Sequence, residues 1–149
     1  MRAVVQRVSE ARVVVEGSVT GAVKDGLLVY LGVDRDDSEA DVKYLVDKVR
    51  HLRIFMDEAD KMNLDVGHIH GRVLVVSAFT VQADARRGRR PSFEAAAEPD
   101  RAVIFYEMFC DALARTGVTV ERGSFGAMMN VHSVNAGPIC ILLESRRAF

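Results

Sequence analysis

A short segment with two hydroxyl groups, Ser77-Ala78-Phe79-Thr80, follows the apolar run of residues 73–76. The hydroxyls flank an aromatic ring where a predicted strand ends, and the loops that follow strands are where binding and catalytic groups concentrate. Hydroxyl groups can donate hydrogen bonds to a substrate or, when a base activates them, attack an acyl group. Simple strand termination also explains the segment, so its residue types alone do not identify a reaction.

A second segment, Asn135-Ala136-Gly137-Pro138, lies between two apolar runs that are predicted to be strands. Glycine and proline are typical of tight turns, and cis peptide bonds concentrate at X-Pro. A turn with no further role is the alternative interpretation. Like the first segment, this one does not identify a reaction by itself.

Arginines are concentrated in one stretch, where four of them surround Gly88. The formal net charge of the chain is −1, so no overall positive field attracts nucleic acid. A local patch of guanidinium groups can still contact phosphates, and a solvated loop is the alternative. The four are Arg86, Arg87, Arg89 and Arg90.

Several common kinds of site have no signature in this sequence. There is no G-x-S-x-G nucleophile motif and no G-x-G-x-x-G phosphate-binding loop. The pair His68 and His70 is a weak zinc signal, so no metal site is expected, and His51 and His132 are expected to be structural or on the surface. Cys110 and Cys140 have no C-x-x-C spacing, which favours buried free thiols.

Hydrophobic periodicity predicts strands and two main helices. Apolar residues at helical spacing predict a helix over about residues 39–51, and a longer helix is expected to begin near Pro99 and to end before Gly117. Turn residues divide the first third of the chain into antiparallel strands. Further strands are predicted over residues 27–33, 53–56, 72–79, 118–122, 128–134 and 139–145.

These elements predict an α+β fold with a curved, antiparallel, barrel-like sheet and two main helices. The length of 149 residues suits a single domain over residues 1–149. The apolar runs are too short to span a bilayer, and the N-terminus lacks the pattern of a secretory signal. A cytoplasmic protein without a membrane partner is therefore expected.

The two segments also recur, together with several others, in a known family. The sequence resembles the D-aminoacyl-tRNA deacylases over essentially its whole length. The family's signature stretches are Ser-Gln-Phe-Thr-Leu and Asn-x-Gly-Pro-x-Thr, which stand here as residues 77–81 and 135–140. The other similar segments are residues 5–8, 15–17, 26–33, 53–55, 61–64, 73–76 and 87–93.

Three positions depart from the family pattern. Ala78 replaces the usual glutamine, and Cys140 replaces the usual threonine. These replacements remove an amide and a hydroxyl that could hydrogen-bond near the substrate, which affects the expected rate or substrate choice. Ala136, where an aspartate is common, is expected to be a minor surface change.

The resemblance implies an enzyme that hydrolyses the ester bond of D-aminoacyl-tRNA, and of mischarged glycyl-tRNA, to release the amino acid and free tRNA. It implies no metal or organic cofactor. An aminoacyl ester is already activated, so positioning and oxyanion stabilisation can supply much of the rate. The family resemblance further implies a homodimer in which a cis Gly-Pro pair from one subunit enters the pocket of the other and excludes L-aminoacyl groups.

Carried onto this chain, the resemblance assigns expected roles to named residues. Gly137 and Pro138 form the chiral filter, and Asn135 is expected at the substrate. Thr80 could serve as an acyl-accepting nucleophile, but no general base is evident for it. The facing catalytic wall is expected to comprise Ser77, Ala78, Phe79 and Thr80. Phe125 and Met129 are expected around the terminal adenosine, and the arginines of residues 86–90 at tRNA phosphates.

Two alternatives differ from this hypothesis. One is a sibling deacylase that acts on an L-aminoacyl-tRNA, which the changes at Ala78 and Cys140 could signal. The other is a catalytically silent module that binds tRNA.

Overall fold

The computed structural model describes residues 1–148 of the chain. Groups of two or three strands are separated by the helices. The helices are α1 (Glu39–His51), a 3-10 turn (Phe79–Gln82) and α2 (Pro99–Ala114). The strands are β1 (Arg2–Val15), β2 (Ser18–Val23), β3 (Gly26–Gly32), β4 (Phe55–Met56), β5 (Met62–Leu64), β6 (Arg72–Ser77), β7 (Thr119–Arg122) and β8 (Asn130–Glu144).

Six of the strands form one curved sheet in the order β2-β1-β3-β6-β7, with β8 paired along the other side of β1. The sheet almost closes on itself where β2 approaches β7. A Cβ atom at Gly21 would overlap the carbonyl oxygen of Arg122, so this close approach of two backbones requires glycine. The expected α+β fold with a barrel-like sheet and two main helices is confirmed.

The sheet is mixed, however, and not antiparallel throughout as predicted. Strand β1 pairs antiparallel with β2, β3 and β8, whereas β3 with β6 and β6 with β7 run parallel. Each parallel pair is joined by a connection that contains a helix, α1 in the first case and α2 in the second. Such long connections carry the chain back to the end of the sheet where the previous strand began, so that the next strand runs in the same direction. A hairpin cannot do this.

The hydrophobic core lies between one face of the sheet and the two α-helices. Strand β3 is buried on both faces, as its nearly continuous apolar sequence predicts. From α1 the core receives Val42, Leu45, Val46 and Val49, and from α2 it receives Phe105, Tyr106, Phe109, Cys110 and Leu113. A second, smaller cluster on the opposite face of the sheet contains Leu28, Leu74 and Val76.

Both predicted helices are confirmed, with α1 at the predicted bounds and α2 beginning at Pro99. At the start of α1 the backbone N–H of Ser38 donates to Asp41 Oδ2 at 2.8 Å, and the Ser38 hydroxyl donates to the same oxygen at 2.7 Å. Burial raises the pKa of Asp41, but hydrogen bonds from Ser145 and Ser38 outweigh it and lower the pKa to about 2. No helix of residues 1–148 has the length and apolar character needed to cross a membrane.

Three local predictions are wrong. Strand β6 ends at Ser77 because the chain enters the 3-10 turn there. The segment at residues 135–138 is not a tight turn between two strands, since β8 continues through it and both halves pair with β1 across register shifts. Cys110 is buried as expected, but Cys140 is exposed because it lies on the outer face of β8.

Candidate active site

A cavity of about 570 Å³ opens where β3 and β6 end and α2 begins. Parallel strands β3 and β6 finish side by side, with Leu31 paired to Ser77, so the segments that follow them face the same space. Loops beyond the carboxyl ends of parallel strands are common ligand sites. Ser77, Ala78, Phe79 and Thr80 all line this cavity, together with Phe125 and Met129.

A larger open groove of about 690 Å³ lies at the other end of β6, beside Arg72. The side chains that line it are mostly exposed, for example Arg12, Lys24 and His132. Because the smaller cavity has a buried apolar floor at Leu31 and Val33, it is the better candidate for binding an organic ligand.

The backbone at Ala78 is fixed in place while the next two amides stay unpaired. Ala78 N–H donates to the carbonyl oxygen of Leu31 at 2.9 Å, and Ala78 C=O accepts from Val81 N–H at 3.1 Å. Within residues 1–148, the N–H groups of Phe79 and Thr80 donate to no backbone oxygen. They are the first amides of the 3-10 turn, so they are available to an oxygen atom of a ligand.

A buried amide anchors the 3-10 turn from behind. Gln82 is 1% exposed, and its Nε2 donates to the carbonyl oxygen of Gly32 at 2.8 Å. This bond ties the end of the turn to the end of β3. The sequence pattern did not predict this role for Gln82, because a single polar residue after a strand is normally exposed.

Aromatic rings form one wall of the cavity. The rings of Tyr106 and Phe125 lie 5.7 Å apart, and the Tyr106 hydroxyl donates to the carbonyl oxygen of Val75 at 2.9 Å. Burial raises the pKa of Tyr106, so its hydroxyl stays neutral. Tyr106 lies on the buried face of α2 and also lines the cavity, a position that the sequence pattern did not predict. Phe125 and Met129 are half-buried and line the cavity.

The arginine-rich loop begins at the rim of the cavity. Asp84 and Ser92 exchange two backbone hydrogen bonds of 2.8 Å that close the loop at its base. Phe93, the next residue, packs edge-on against Phe79 at 5.1 Å and lines the cavity. The loop therefore starts and ends beside the segment that bears the unpaired amides.

The four arginines of the loop are exposed but not equivalent. The Arg86 guanidinium makes two hydrogen bonds to the Asp84 carboxylate, at 2.9 and 2.6 Å, and this pairing lowers the pKa of Asp84 and raises that of Arg86. Among residues 1–148, Arg87, Arg89 and Arg90 form no salt bridge. Three positive charges at the rim are thus uncompensated.

The Gly137-Pro138 pair does not line the cavity of its own chain. Both residues are exposed, their peptide bond is cis, and Gly137 has a φ of 127°. Asn135 supports the segment, since its Nδ2 donates to the carbonyl oxygens of Arg7 at 3.0 Å and Ile139 at 2.8 Å. The predicted filter residues and the predicted wall are therefore separate surfaces within one chain.

Two of the four histidines contact a buried carboxylate. Asp65 Oδ1 lies 2.9 Å from His68 Nδ1, and Asp65 Oδ2 lies 3.4 Å from His51 Nδ1. The Arg50 guanidinium is 2.7 Å from the same carboxylate. Burial opposes ionisation, but the backbone N–H of His68 and the Arg50 guanidinium lower the pKa of Asp65. Residues 1–148 contain no group of three potential ligands arranged for a metal ion.

Comparison with known proteins gives consistent results. The family model described as D-Tyr-tRNA(Tyr) deacylase matches residues 4–144. A D-aminoacyl-tRNA deacylase of Thermotoga petrophila is 57% identical over 149 residues, which is 100% of either chain. A solved structure titled c-Myc DNA Unwinding Element Binding Protein is 37% identical, with a TM-score of 0.92 over 97% of this chain and 98% of that one.

A second solved structure shows the same fold at lower identity. It is described as a probable eukaryotic D-amino acid tRNA deacylase and is 16% identical to this chain. Its TM-score is 0.82, over 96% of this chain and 98% of that one. The barrel-like mixed sheet with two helices is therefore retained where little of the sequence is.

Proposed function

This chain belongs to the D-Tyr-tRNA(Tyr) deacylase family, and from that premise we propose that the 570 Å³ cavity is its active site. The enzyme is a hydrolase, a D-aminoacyl-tRNA deacylase. The observation that carries the placement is the pair of unpaired amides at Phe79 and Thr80 on the cavity wall. Backbone N–H groups that are fixed before the substrate binds can stabilise the negative charge that develops on an ester oxygen.

The proposed reaction needs only water as the attacking group. Water adds to the ester carbonyl carbon, and the amides of Phe79 and Thr80 stabilise the resulting oxyanion. The bond to the ribose oxygen then breaks, that oxygen takes a proton, and free amino acid and tRNA leave. Among the described residues, the cavity lining contains no histidine or aspartate, and its one carboxylate, Glu98, makes no hydrogen bond to the Ser77 or Thr80 hydroxyl, which argues against a side-chain nucleophile.

The aromatic wall suits the terminal adenosine of tRNA. Phe125 and Met129 present half-buried apolar surface beside the buried Tyr106. Stacking of a base on such a surface contributes on the order of 1 to 3 kcal/mol. This wall would place the ester next to the 3-10 turn.

We further propose that a second copy of the chain completes the site. Gly137 and Pro138 are exposed and lie outside their own cavity, so they can meet a substrate only in another subunit. Val134 and Leu142, on either side of them along β8, are 50% and 58% exposed. Apolar side chains in such a row favour burial in a two-fold symmetric interface.

In that dimer the Gly137-Pro138 backbone would act as the chiral filter. Glycine has no side chain to obstruct the amino group of a D-aminoacyl or glycyl ester, and the neighbouring carbonyl oxygens can accept hydrogen bonds from its ammonium. An L-aminoacyl ester would direct a different substituent into this backbone. Rejection by clash and by unpaired polar groups discriminates strongly. A monomer in light scattering at micromolar concentration would contradict the dimer.

Two of the three positions that depart from the family pattern, Ala78 and Cys140, change a side chain without changing the backbone contacts of the cavity wall. Ala78 still supplies the N–H that binds Leu31, so the scaffold of the wall does not need the missing amide. Cys140 is exposed and its Sγ lies 3.9 Å from Gln6 Nε2. We therefore expect deacylation of D-aminoacyl esters to be retained.

Parallel deacylation assays on one tRNA charged with D-tyrosine, L-tyrosine, glycine or L-alanine test this function. We expect release of D-tyrosine and glycine and little release of L-tyrosine. Hydrolysis of L-alanyl-tRNA with no activity on D-tyrosyl-tRNA would identify the sibling deacylase. Binding of tRNA without hydrolysis of any ester would identify a silent binding module.

Two broader expectations belong to the same proposal. A single domain over residues 1–149 predicts one cooperative unfolding transition of each copy, seen as coincident curves from different probes. A cytoplasmic location predicts that, after cell fractionation, the enzyme is recovered in the same fraction as aminoacylated tRNA. Two separate unfolding transitions, or recovery with membranes, would contradict them.

A further inference from the structure

One carboxylate lies at the mouth of the cavity. Among the described residues that line the cavity, Glu98 is the one with a charged side chain. Tyr106 is also ionisable, but burial raises its pKa, so it is neutral. Arg87, Arg89 and Arg90 belong to the neighbouring loop and do not line the cavity, so within the lining itself the one charged group is the Glu98 carboxylate.

The backbone of Glu98 is fixed, whereas its side chain has no partner. The Glu98 carbonyl oxygen accepts hydrogen bonds from Arg101 N–H at 3.0 Å and Ala102 N–H at 2.8 Å, at the start of α2. The Glu98 side chain makes no capping hydrogen bond. Its charge is thus free to act on a ligand.

The nearest basic residue along the helix does not neutralise Glu98. Arg101 lies one turn further on, but its guanidinium stacks 4.6 Å from the centre of the Phe105 ring. It also donates to the carbonyl oxygen of Asp37. Within residues 1–148, neither Arg101 nor any other cation forms a salt bridge with Glu98.

We propose that Glu98 makes the enzyme favour D-aminoacyl esters with cationic side chains over those with anionic side chains. This inference rests on the proposed function. The floor of the cavity at Leu31 and Val33 is apolar and buried, so a charged substrate side chain does not enter it without a large desolvation cost. Such a side chain must stay at the mouth, where Glu98 attracts a positive charge and repels a negative one.

The size of the effect follows from the exposure of Glu98. Ion pairs between exposed groups change an equilibrium by up to about fivefold. Attraction of a cationic substrate side chain and repulsion of an anionic one both increase the ratio of kcat/KM between the two substrates. Screening by salt should reduce the ratio toward one, because the Debye length falls to about 3 Å at 1 M ionic strength.

The test compares one tRNA charged with D-lysine, D-tyrosine or D-glutamate. In the wild-type enzyme we expect kcat/KM to be about fivefold or more higher for D-lysyl-tRNA than for D-glutamyl-tRNA, mainly through KM. E98Q should bring the two values together, and E98K should reverse their order. D-Tyrosyl-tRNA reports the effect that each variant has on every substrate through the tRNA, so the test rests on the ratio between D-lysyl-tRNA and D-glutamyl-tRNA, in which that common effect cancels.

Asp100 provides the matched control. It lies in the same first turn of α2 and is exposed, but it does not line the cavity. D100N removes the same charge, so it should alter helix stability as E98Q does and leave the substrate ratio unchanged. A ratio that is the same in wild type and E98Q, or that D100N changes equally, overturns the role of Glu98.

The D-tyrosyl substrate separates the two proposals. If wild type hydrolyses D-tyrosyl-tRNA but shows no dependence on side-chain charge, only the inference about Glu98 fails. If wild type does not hydrolyse D-tyrosyl-tRNA, the proposed function fails, and the inference fails with it.

Discussion

Arg7 Nε donates a hydrogen bond to the carbonyl oxygen of Ala136 at 3.1 Å. The same guanidinium donates from Nη1 to the carbonyl oxygen of Ile54 at 2.7 Å. A planar guanidinium can bind two acceptors in fixed directions, which lysine cannot do. Arg7 therefore joins the exposed Gly137-Pro138 segment of β8 to the chain that follows α1.

Substitution of Gly137 should disturb this arrangement. A Cβ atom at this position would lie 2.8 Å from Ile139 Cγ1 and 3.0 Å from Arg7 Nη2, at a φ of 127° that disfavours side chains. We expect G137A to lower kcat/KM for D-tyrosyl-tRNA by about tenfold or more, because small displacements of a positioning group are costly.

Gly17 offers the control for backbone strain alone. Its φ is 81°, and a Cβ there would have no neighbour within 4 Å. G17A should cost about 1 to 2 kcal/mol of stability, because a side chain disfavours this left-handed backbone conformation, and it should leave kcat/KM unchanged. Equal activity of G137A and wild type would remove Gly137 from the proposed filter.

How far the sequence predicted this site depends on the range of each interaction. The bounds of α1 agree with the prediction over about residues 39–51 because apolar spacing is a local signal. The contacts of Arg7 with Ala136 and of Gln82 with Gly32 join residues far apart in sequence. No periodic pattern in the sequence encodes such contacts, so only the three-dimensional structure reveals them.

The segment around residues 135–138 shows the same limit. Glycine and proline there indicated a tight turn, yet β8 runs through the segment because both halves pair with β1. Tertiary pairing overrides the local turn signal in this case. The prediction that these residues matter came from the family resemblance, since their residue types are equally typical of an ordinary turn.

The arginine loop should bind tRNA through phosphates. Changing Arg86, Arg87, Arg89 and Arg90 to alanine should weaken binding and flatten its dependence on salt, by roughly 0.7 to 0.9 in logarithmic slope for each phosphate that is no longer neutralised. R86A alone should have the smallest effect, because Asp84 already pairs with Arg86. Filter-binding titrations at several salt concentrations measure both quantities.

A second set of cations provides the comparison for the loop. Arg12, Lys24 and Arg72 line the open groove at the other end of β6. Their replacement by alanine changes the net charge by three but leaves the cavity rim intact. If this variant loses as much affinity as the loop variant, attraction is a property of overall charge and not of the loop.

Thr80 should be dispensable as a nucleophile. Thr80 is exposed, and among the described residues its hydroxyl makes no hydrogen bond to Glu98, the one carboxylate in the cavity lining. T80A should keep kcat within about tenfold of wild type, whereas loss of a true nucleophile lowers it by about a thousandfold or more. S77A is the parallel variant at the other hydroxyl, and an acyl-enzyme seen by mass spectrometry would contradict the water mechanism.

The ionisation of Asp41 should make the free energy of unfolding depend on pH in the acid range. Hydrogen bonds from Ser145 and Ser38 outweigh burial and lower its pKa from 3.8 to about 2 in the folded protein. A carboxyl whose pKa is lower in the folded state contributes stability above its unfolded pKa and loses that contribution as pH falls toward the folded value. At pH 7, D41N should cost about 1 to 2 kcal/mol, and the difference from wild type should shrink between about pH 4 and pH 2.

Asp47 lies on the exposed face of the same helix, so D47N should leave the free energy of unfolding nearly unchanged. Urea unfolding at a series of pH values measures these differences, and a gap between wild type and D41N that stays constant down to pH 2 would show that the Ser38 cap does not depend on the charge of Asp41.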